Sequence, residues 1–152
     1  MDDEDELGLA KEIKEACLQY LIRREHSQQE LLRKVSEKGY PKPSILIIIE
    51  ELAEQGWQSD ARFAESYARS RVHKGIGPLR IKAELQQRGA AGHPFDMVAE
   101  DIAGSWYELL QQVYQKKYAD RPYENQKEQL KRCRFLQQRG FANDMIRRVM
   151  SE

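Results

Sequence analysis

Metal binding, nucleophilic catalysis and acid–base catalysis each need particular side chains at particular spacings, and this sequence offers few such sets. The histidines His26, His73 and His93 stand far apart, and Cys17 and Cys133 lie towards opposite ends. There is no HExxH pair and no GxSxG elbow. Glu50-Glu51 and Glu100-Asp101 are adjacent carboxylates, but both pairs fall on outer faces of expected helices, where solvation explains them. Cys17 sits on an apolar stripe, the usual setting of an inert buried thiol. We therefore expect no metal, no cofactor and no catalytic residue.

The loop Lys74-Gly75-Ile76-Gly77-Pro78 is the least ordinary local pattern. It holds a GxG but no Walker lysine, and it follows no strand, so a nucleotide fold is not expected. Two readings of it coexist. It is a tight turn whose glycines supply positive φ, and it opens a helix whose first N–H groups favour an anion. Arg71, Lys74, Arg80 and Lys82 crowd the same stretch. From Arg62 to Arg88 there are seven bases, opposed only by Glu65 and Glu84. Such a run is either a solvated helix face or a field aimed at a polyanion or an acidic protein surface.

Composition limits what kind of molecule carries these residues. The chain has 152 residues, 33% charged and 40% hydrophobic, including thirteen aromatics, with a mean hydropathy of −0.80. That is polar, yet too apolar for a disordered chain. No apolar run approaches the ~20 residues of a membrane span. Two cysteines cannot staple a fold of this size, so a reducing cytoplasm is expected. The net charge of zero hides an asymmetry: residues 1–6 supply five of the 25 acids, leaving 25 bases against 20 acids in the rest. Residues 1–8 are expected to form an acidic, disordered N-terminal tail.

The elements that must position the basic run come from a repeat. Gly39, Gly89 and Gly140 stand about fifty residues apart, each preceded by a base. This reads as a helix closing on a left-handed glycine, with Tyr40, Ala90 and Phe141 packing back on Val35, Leu85 and Leu136. Downstream, Ile45, Phe95 and Ile146 coincide, as do Ile48, Val98 and Val149, and Ile49, Ala99 and Met150. Upstream, Ile13, Phe63 and Tyr114 coincide, followed by Cys17, Tyr67 and Tyr118. These i, i+3, i+4 spacings are helical faces. Ser27 with Glu30 makes a capping box; Pro43, Pro78, Pro122 and Asn143 mark further helix starts. The run Ile45-Leu46-Ile47-Ile48-Ile49 alone would pass for a strand, but its register with Phe95 and Ile146 decides for helix. The expectation is an all-α chain of three tandem three-helix repeats, 9–56, 57–104 and 105–152, in an elongated, curved array with no sheet.

Several of these residues also carry a resemblance. Gly56-Trp57-Gln58-Ser59-Asp60-Ala61-Arg62-Phe63-Ala64-Glu65-Ser66-Tyr67, then Arg69, Arg71, the 74–78 loop, Arg80-Ile81, Glu84-Leu85 and Arg88-Gly89, closely resembles the RecX family of recombination regulators. So do Tyr20-Leu21 with Arg23-Arg24-Glu25-His26-Ser27, and Arg134-Phe135-Leu136-Gln137-Gln138-Arg139-Gly140-Phe141. The resemblance implies a bacterial cytoplasmic protein of tandem three-helix repeats that binds the RecA filament. It further implies restraint of RecA's ATPase, strand exchange and coprotease activities by docking in the filament groove, with DNA bound by some members. Two stretches depart from it: Ala90-Ala91-Gly92-His93-Pro94, where a larger apolar residue is expected after the glycine, and the acidic run at residues 1–6.

On that basis the expected partner-binding residues, for RecA and also DNA, are Arg62, Arg69, Arg71, Lys74, Arg80 and Lys82. The expected actor is a non-enzymatic monomer with no membrane and no small-molecule substrate. The rivals are a stand-alone DNA-binding helical module, for which a charge of +5 outside the tail is modest, a hydrolase built on scattered carboxylates, and an inert helical scaffold.

Overall fold

The computed structural model describes residues 3–152, which form nine helices and, among these residues, no strand. The first set is α1 (Asp3–Arg23), α2 (Gln28–Ser36) and α3 (Lys42–Glu54); the second is α4 (Asp60–His73), α5 (Pro78–Gln87) and α6 (Asp96–Ala103). The third is α7 (Trp106–Tyr118), α8 (Gln126–Gln138) and α9 (Asn143–Ser151). Local chemistry fixes several starts. The Ser27 hydroxyl accepts from the Glu30 N–H while the Glu30 carboxylate accepts from the Ser27 N–H, a complete capping box. Ser105 and Asn125 cap α7 and α8 in the same single-sided way, accepting from Glu108 and Glu128 N–H.

The chain divides into two compact units. One comprises the chain up to Ala64 together with Gln87–His93; the other comprises Glu65–Gln86 and Pro94–Glu152. In the first, α1 presents Ile13, Ala16 and Cys17, α2 Leu31 and Val35, and α3 Ile45, Ile48, Ile49 and Leu52 to one apolar core. Each fully buried leucine or isoleucine there contributes about 2 kcal/mol by leaving water. The five-residue apolar run in α3 is thus helical. Its inner residues are buried, while Leu46 and Ile47 remain 50% and 59% exposed on the other side. In the second unit α7 packs on α6 and α9, and α8 on α9.

The fifty-residue glycine spacing corresponds to a joint that occurs twice. In the first unit the N-terminus of α2 meets the turn after α5: the Ser27 hydroxyl donates to the Arg88 carbonyl at 2.6 Å, and Gln29 Nε2 to the Gln87 carbonyl at 2.8 Å. In the second unit the N-terminus of α5 meets the turn after α8. There the Gly77 N–H donates to the Arg139 carbonyl at 2.6 Å, and the Leu79 N–H to the Gly140 carbonyl at 3.0 Å. Helix ends have orphan carbonyls, which side chains satisfy at the first joint; at the second, the orphan N–H groups of a helix start satisfy them, so both needs are met at once. Gly140 has φ +98°, and a Cβ there would lie 2.5 Å from Arg80 Cβ. Its glycine is required by backbone conformation and by close approach together.

Three expectations need correction. The acidic segment is not disordered over residues 3–8: α1 begins at Asp3, and its first turn carries Asp3, Glu4, Asp5 and Glu6. Carboxylates at the positive end of a helix dipole stabilise that turn, an effect that composition alone conceals. Met1 and Asp2, which belong to the same expected tail, lie outside the described residues. The α8 start is Gln126, because Asn125 supplies the cap; Pro122 lies in the irregular loop before it. Phe95 stands at the N-cap of α6 and is half-buried, whereas its counterparts Ile45 and Ile146 are buried. Its ring instead meets Trp106 edge-on at 6.0 Å.

Candidate interaction surface

The six expected contact residues occupy α4, the following loop and α5, and the structure sorts them into two kinds. Arg62, in the first unit, donates from Nε to Glu25 at 3.0 Å and from Nη2 to the Gly56 carbonyl at 2.8 Å. The other five lie in the second unit. Arg69 reaches both Glu65 at 3.1 Å and Asp101 at 2.8 Å. Arg71 grips Glu84 with two parallel bonds, Nε to Oε1 at 2.9 Å and Nη2 to Oε2 at 3.1 Å. Tyr67 donates its hydroxyl to the same carboxylate at 3.0 Å, and Arg80 adds a bond at 3.3 Å. Arg80 also donates to the Gln138 carbonyl at 3.2 Å, strengthening the second joint.

The electrostatics follow from these contacts. Burial alone would raise the Glu84 carboxyl, but the bonds from Arg71, Tyr67 and Arg80 overcome it and hold the group below the usual range. The hydrogen bonds from Arg69 to Asp101 and Glu65 hold its guanidinium above its ordinary value. Lys74 and Lys82 differ: both are exposed and make no ion pair among the described residues. Four of the six bases are therefore committed to their own fold, and two lysines carry the outward charge of this segment.

The loop at 74–78 serves the turn reading at Gly75, which has φ +78°; Gly77 has no positive φ, and its glycine is required by close approach instead, since a Cβ there would lie 2.6 Å from the Gly140 carbonyl oxygen. Its Gly77 N–H and the following Leu79 N–H are spent on the Arg139 and Gly140 carbonyls, and Arg139 Nη1 donates back to the Lys74 carbonyl at 2.7 Å. The acceptors at this helix N-terminus are two backbone carbonyl oxygens, in place of an anion. Cys17 is fully buried, and burial pushes its thiol up to about 11, so it stays protonated near neutrality. Among the described residues no group of three His, Cys, Asp or Glu converges to hold a metal.

From sequence, the third helical set shows its repeat register but not its charged face. Residues 116–139 hold eight bases against three acids, a balance equal to that of the 62–88 run. One of those bases, Arg132, is only 3% exposed. It donates to the Tyr114 hydroxyl at 2.8 Å, the Arg121 carbonyl at 2.9 Å and Glu128 at 2.8 Å, with its guanidinium 4.3 Å from the Tyr118 ring centre. The signal was present as Lys116-Lys117, Lys127, Lys131 and Arg134, but these bases are spread over two helices and become one surface only when folded.

The fold and surface define a class first: an all-α protein of tandem three-helix domains with charged faces suited to macromolecular contact. Family profiles place it more closely. They match residues 14–52 as RecX, first three-helix domain, residues 59–92 as RecX, second three-helix domain, and residues 105–150 as RecX, third three-helix domain. The chain belongs to the RecX family of regulatory proteins. It is 38% identical over 143 residues to Regulatory protein RecX of Halorhodospira halophila, covering 93% of this chain and 89% of that one. It is 39% identical over 138 residues to Regulatory protein RecX of Ectopseudomonas mendocina, covering 91% and 92%. A crystal structure of RecX from Lactobacillus salivarius superposes with a TM-score of 0.72 at 24% identity, over 95% of this chain and 96% of that one. A second crystal structure of regulatory protein RecX gives a TM-score of 0.81 at 19% identity, over 100% and 79%. Among the described residues no helix is long and apolar enough to cross a membrane.

Proposed function

We propose that this chain binds the RecA recombinase filament and restrains its ATP hydrolysis, strand exchange and coprotease activities by docking in the filament groove. Membership of the RecX family across all three helical domains carries this reading. The action is occupancy rather than bond-making: a helical chain laid along successive subunits favours inactive filament states or blocks subunit addition. Arg62, Arg69, Arg71, Lys74, Arg80 and Lys82 form the proposed contact segment, now with distinct tasks. Lys74 and Lys82 supply the attraction that speeds encounter, because no internal carboxylate neutralises them. The paired arginines hold α4 and α5 in the geometry that presents them, and their guanidinium edges add polar contacts. Titrating this protein into RecA-dependent ATP hydrolysis on single-stranded DNA, at two salt concentrations, tests the reading. Inhibition that weakens at the higher salt is expected; hydrolysis that is unchanged at stoichiometric excess overturns it.

A further inference from the structure

The loop between α1 and α2 and the last turn of α2 bring three groups of the first unit into a chain. Lys34 Nζ lies 2.9 Å from His26 Nε2, and His26 Nδ1 lies 3.0 Å from the Arg24 carbonyl. A carbonyl oxygen only accepts, so Nδ1 carries the ring proton and Nε2 is left as the acceptor for Lys34. A nitrogen nucleophile, a base and a group that orients the base is the arrangement by which a side chain is activated for covalent chemistry. The ring is fixed in place: His26 is buried, and Tyr20 packs on it with 5.6 Å between ring centres. Lys34 is only half-buried and stays within reach of a small reagent.

The charge around Lys34 opposes its ammonium. Burial comes first, followed by the like charges of Arg24, Arg33 and Arg23; with Glu30 opposing, they still hold the amine below its usual range. Glu30 is itself gripped by Arg24 through two bonds of 3.0 Å each. The Tyr20 ring favours a cation, but Lys34 at 5.1 Å shares it with Lys38 at 5.3 Å.

We propose that Lys34 is an acylation site of this chain, activated by His26 and taking its acyl group from a small acyl phosphate. In the neutral amine one N–H donates to Nε2 and leaves the lone pair free. Its attack forms the N–C bond to the acyl carbon, and the C–O bond to phosphate breaks. Phosphate leaves with the electron pair, and the proton shed by the nitrogen passes to Nε2. The imidazolium then releases that proton to solvent. An anionic donor is favoured over a neutral one, because the arginines that depress the amine attract phosphate, with the exposed Lys38 beside them. The product is an uncharged amide, so the last turn of α2 loses a cation that favoured its dipole.

The test contains no RecA, so it stands or falls apart from the function proposed above. The full chain is incubated with acetyl phosphate, and acetylation at each lysine is followed by quantitative peptide mass spectrometry between pH 7 and 10. Lys82, which is exposed, is the reference, since reactivity set by exposure alone would make it the faster of the two. Lys34 is expected to react at least about fivefold faster than Lys82 at pH 7.5, with an advantage that shrinks towards pH 10 as ordinary lysines also lose their proton. His26→Gln, its fold verified by circular dichroism melting, should slow Lys34 at least about threefold and leave Lys82 unchanged. With N-acetoxysuccinimide, an uncharged donor, the preference for Lys34 should narrow. A Lys34 no faster than Lys82, a preference independent of pH, an unchanged Lys34 rate in the folded variant, or equal preference with the two donors would each overturn the proposal. If the variant does not fold, the wild-type pH series and donor comparison decide.

Discussion

Arg71 and Glu84 face each other across α4 and α5 with two parallel hydrogen bonds, and both side chains are only 17% exposed. Half-buried, doubly bonded pairs of this kind are costly to break, because removing one partner leaves the other desolvated and uncompensated. Glu84→Gln is expected to cost about 2 kcal/mol of stability in urea unfolding at neutral pH. The sign of its pH dependence follows from the lowered carboxyl. The wild type's extra stability is fully present above the ordinary carboxyl range and is lost as pH falls through the folded-state value. The variant's deficit should accordingly shrink in acid; a deficit that is constant down to pH 3 contradicts this account.

Gly39 and Gly140 separate conformational from packing cost. Both have strongly positive φ, +96° and +98°, but a Cβ at Gly39 meets nothing within 4 Å, while one at Gly140 runs into Arg80 and the Gly77 carbonyl. Gly39→Ala should lose about 1 kcal/mol, the left-handed penalty for an L-residue. Gly140→Ala should lose at least twice that in the same denaturation assay, and equal losses would show that the joint yields freely.

His26 makes the first unit sensitive to mild acid. It is buried, its Nδ1 lies 3.0 Å from the Arg24 carbonyl and its Nε2 lies 2.9 Å from Lys34 Nζ. That arrangement suits a neutral ring that donates from Nδ1 and accepts from the lysine at Nε2. Burial, with the charges of Arg24 and Lys34, lowers its pKa despite the Arg24 carbonyl and Glu30. The unfolded chain therefore binds the proton more readily. Stability is full above about 6.5 and declines as pH falls towards the lowered folded-state value. Comparing unfolding of wild type and His26→Gln at pH 7.5 and 5 checks this; the wild type should lose more between the two.

Lys74→Glu with Lys82→Glu should weaken inhibition of RecA's ATPase several-fold while helicity and melting stay near wild type, since neither side chain is paired internally. Arg80→Glu is a poorer probe, because Arg80 also binds the Gln138 carbonyl and Glu84. Inhibition curves for the double variant that overlay the wild type would remove the segment from the contact surface.

The helical repeat was readable because its signals are local. Ser27 and Glu30 cap within one turn, and the coincident positions Ile45 and Ile146 or Ile48 and Val149 are decided by spacing along single helices. The ownership of charge was not readable. Glu84 is only four residues from Arg80 in sequence, yet its main partner is Arg71, and Arg69 finds Asp101 from another helix. Arg62 is neutralised by Glu25, far upstream. A base looks available in a sequence until folding delivers its acid. The converse error left Lys116, Lys127 and Lys131 unweighed, because α7 had to meet α8 before they formed a face.

The twice-used joint has a consequence for engineering. The middle domain both lends a helix start, through Gly77 and Leu79, and offers a receiving turn, at Gln87 and Arg88, so it carries plug and socket alike. An additional copy of it spliced in register would bring the Gly77 and Leu79 N–H groups to a turn where the Ser27 and Gln29 side chains now donate, so a chain lengthened by one such module exchanges side-chain donors for backbone donors there.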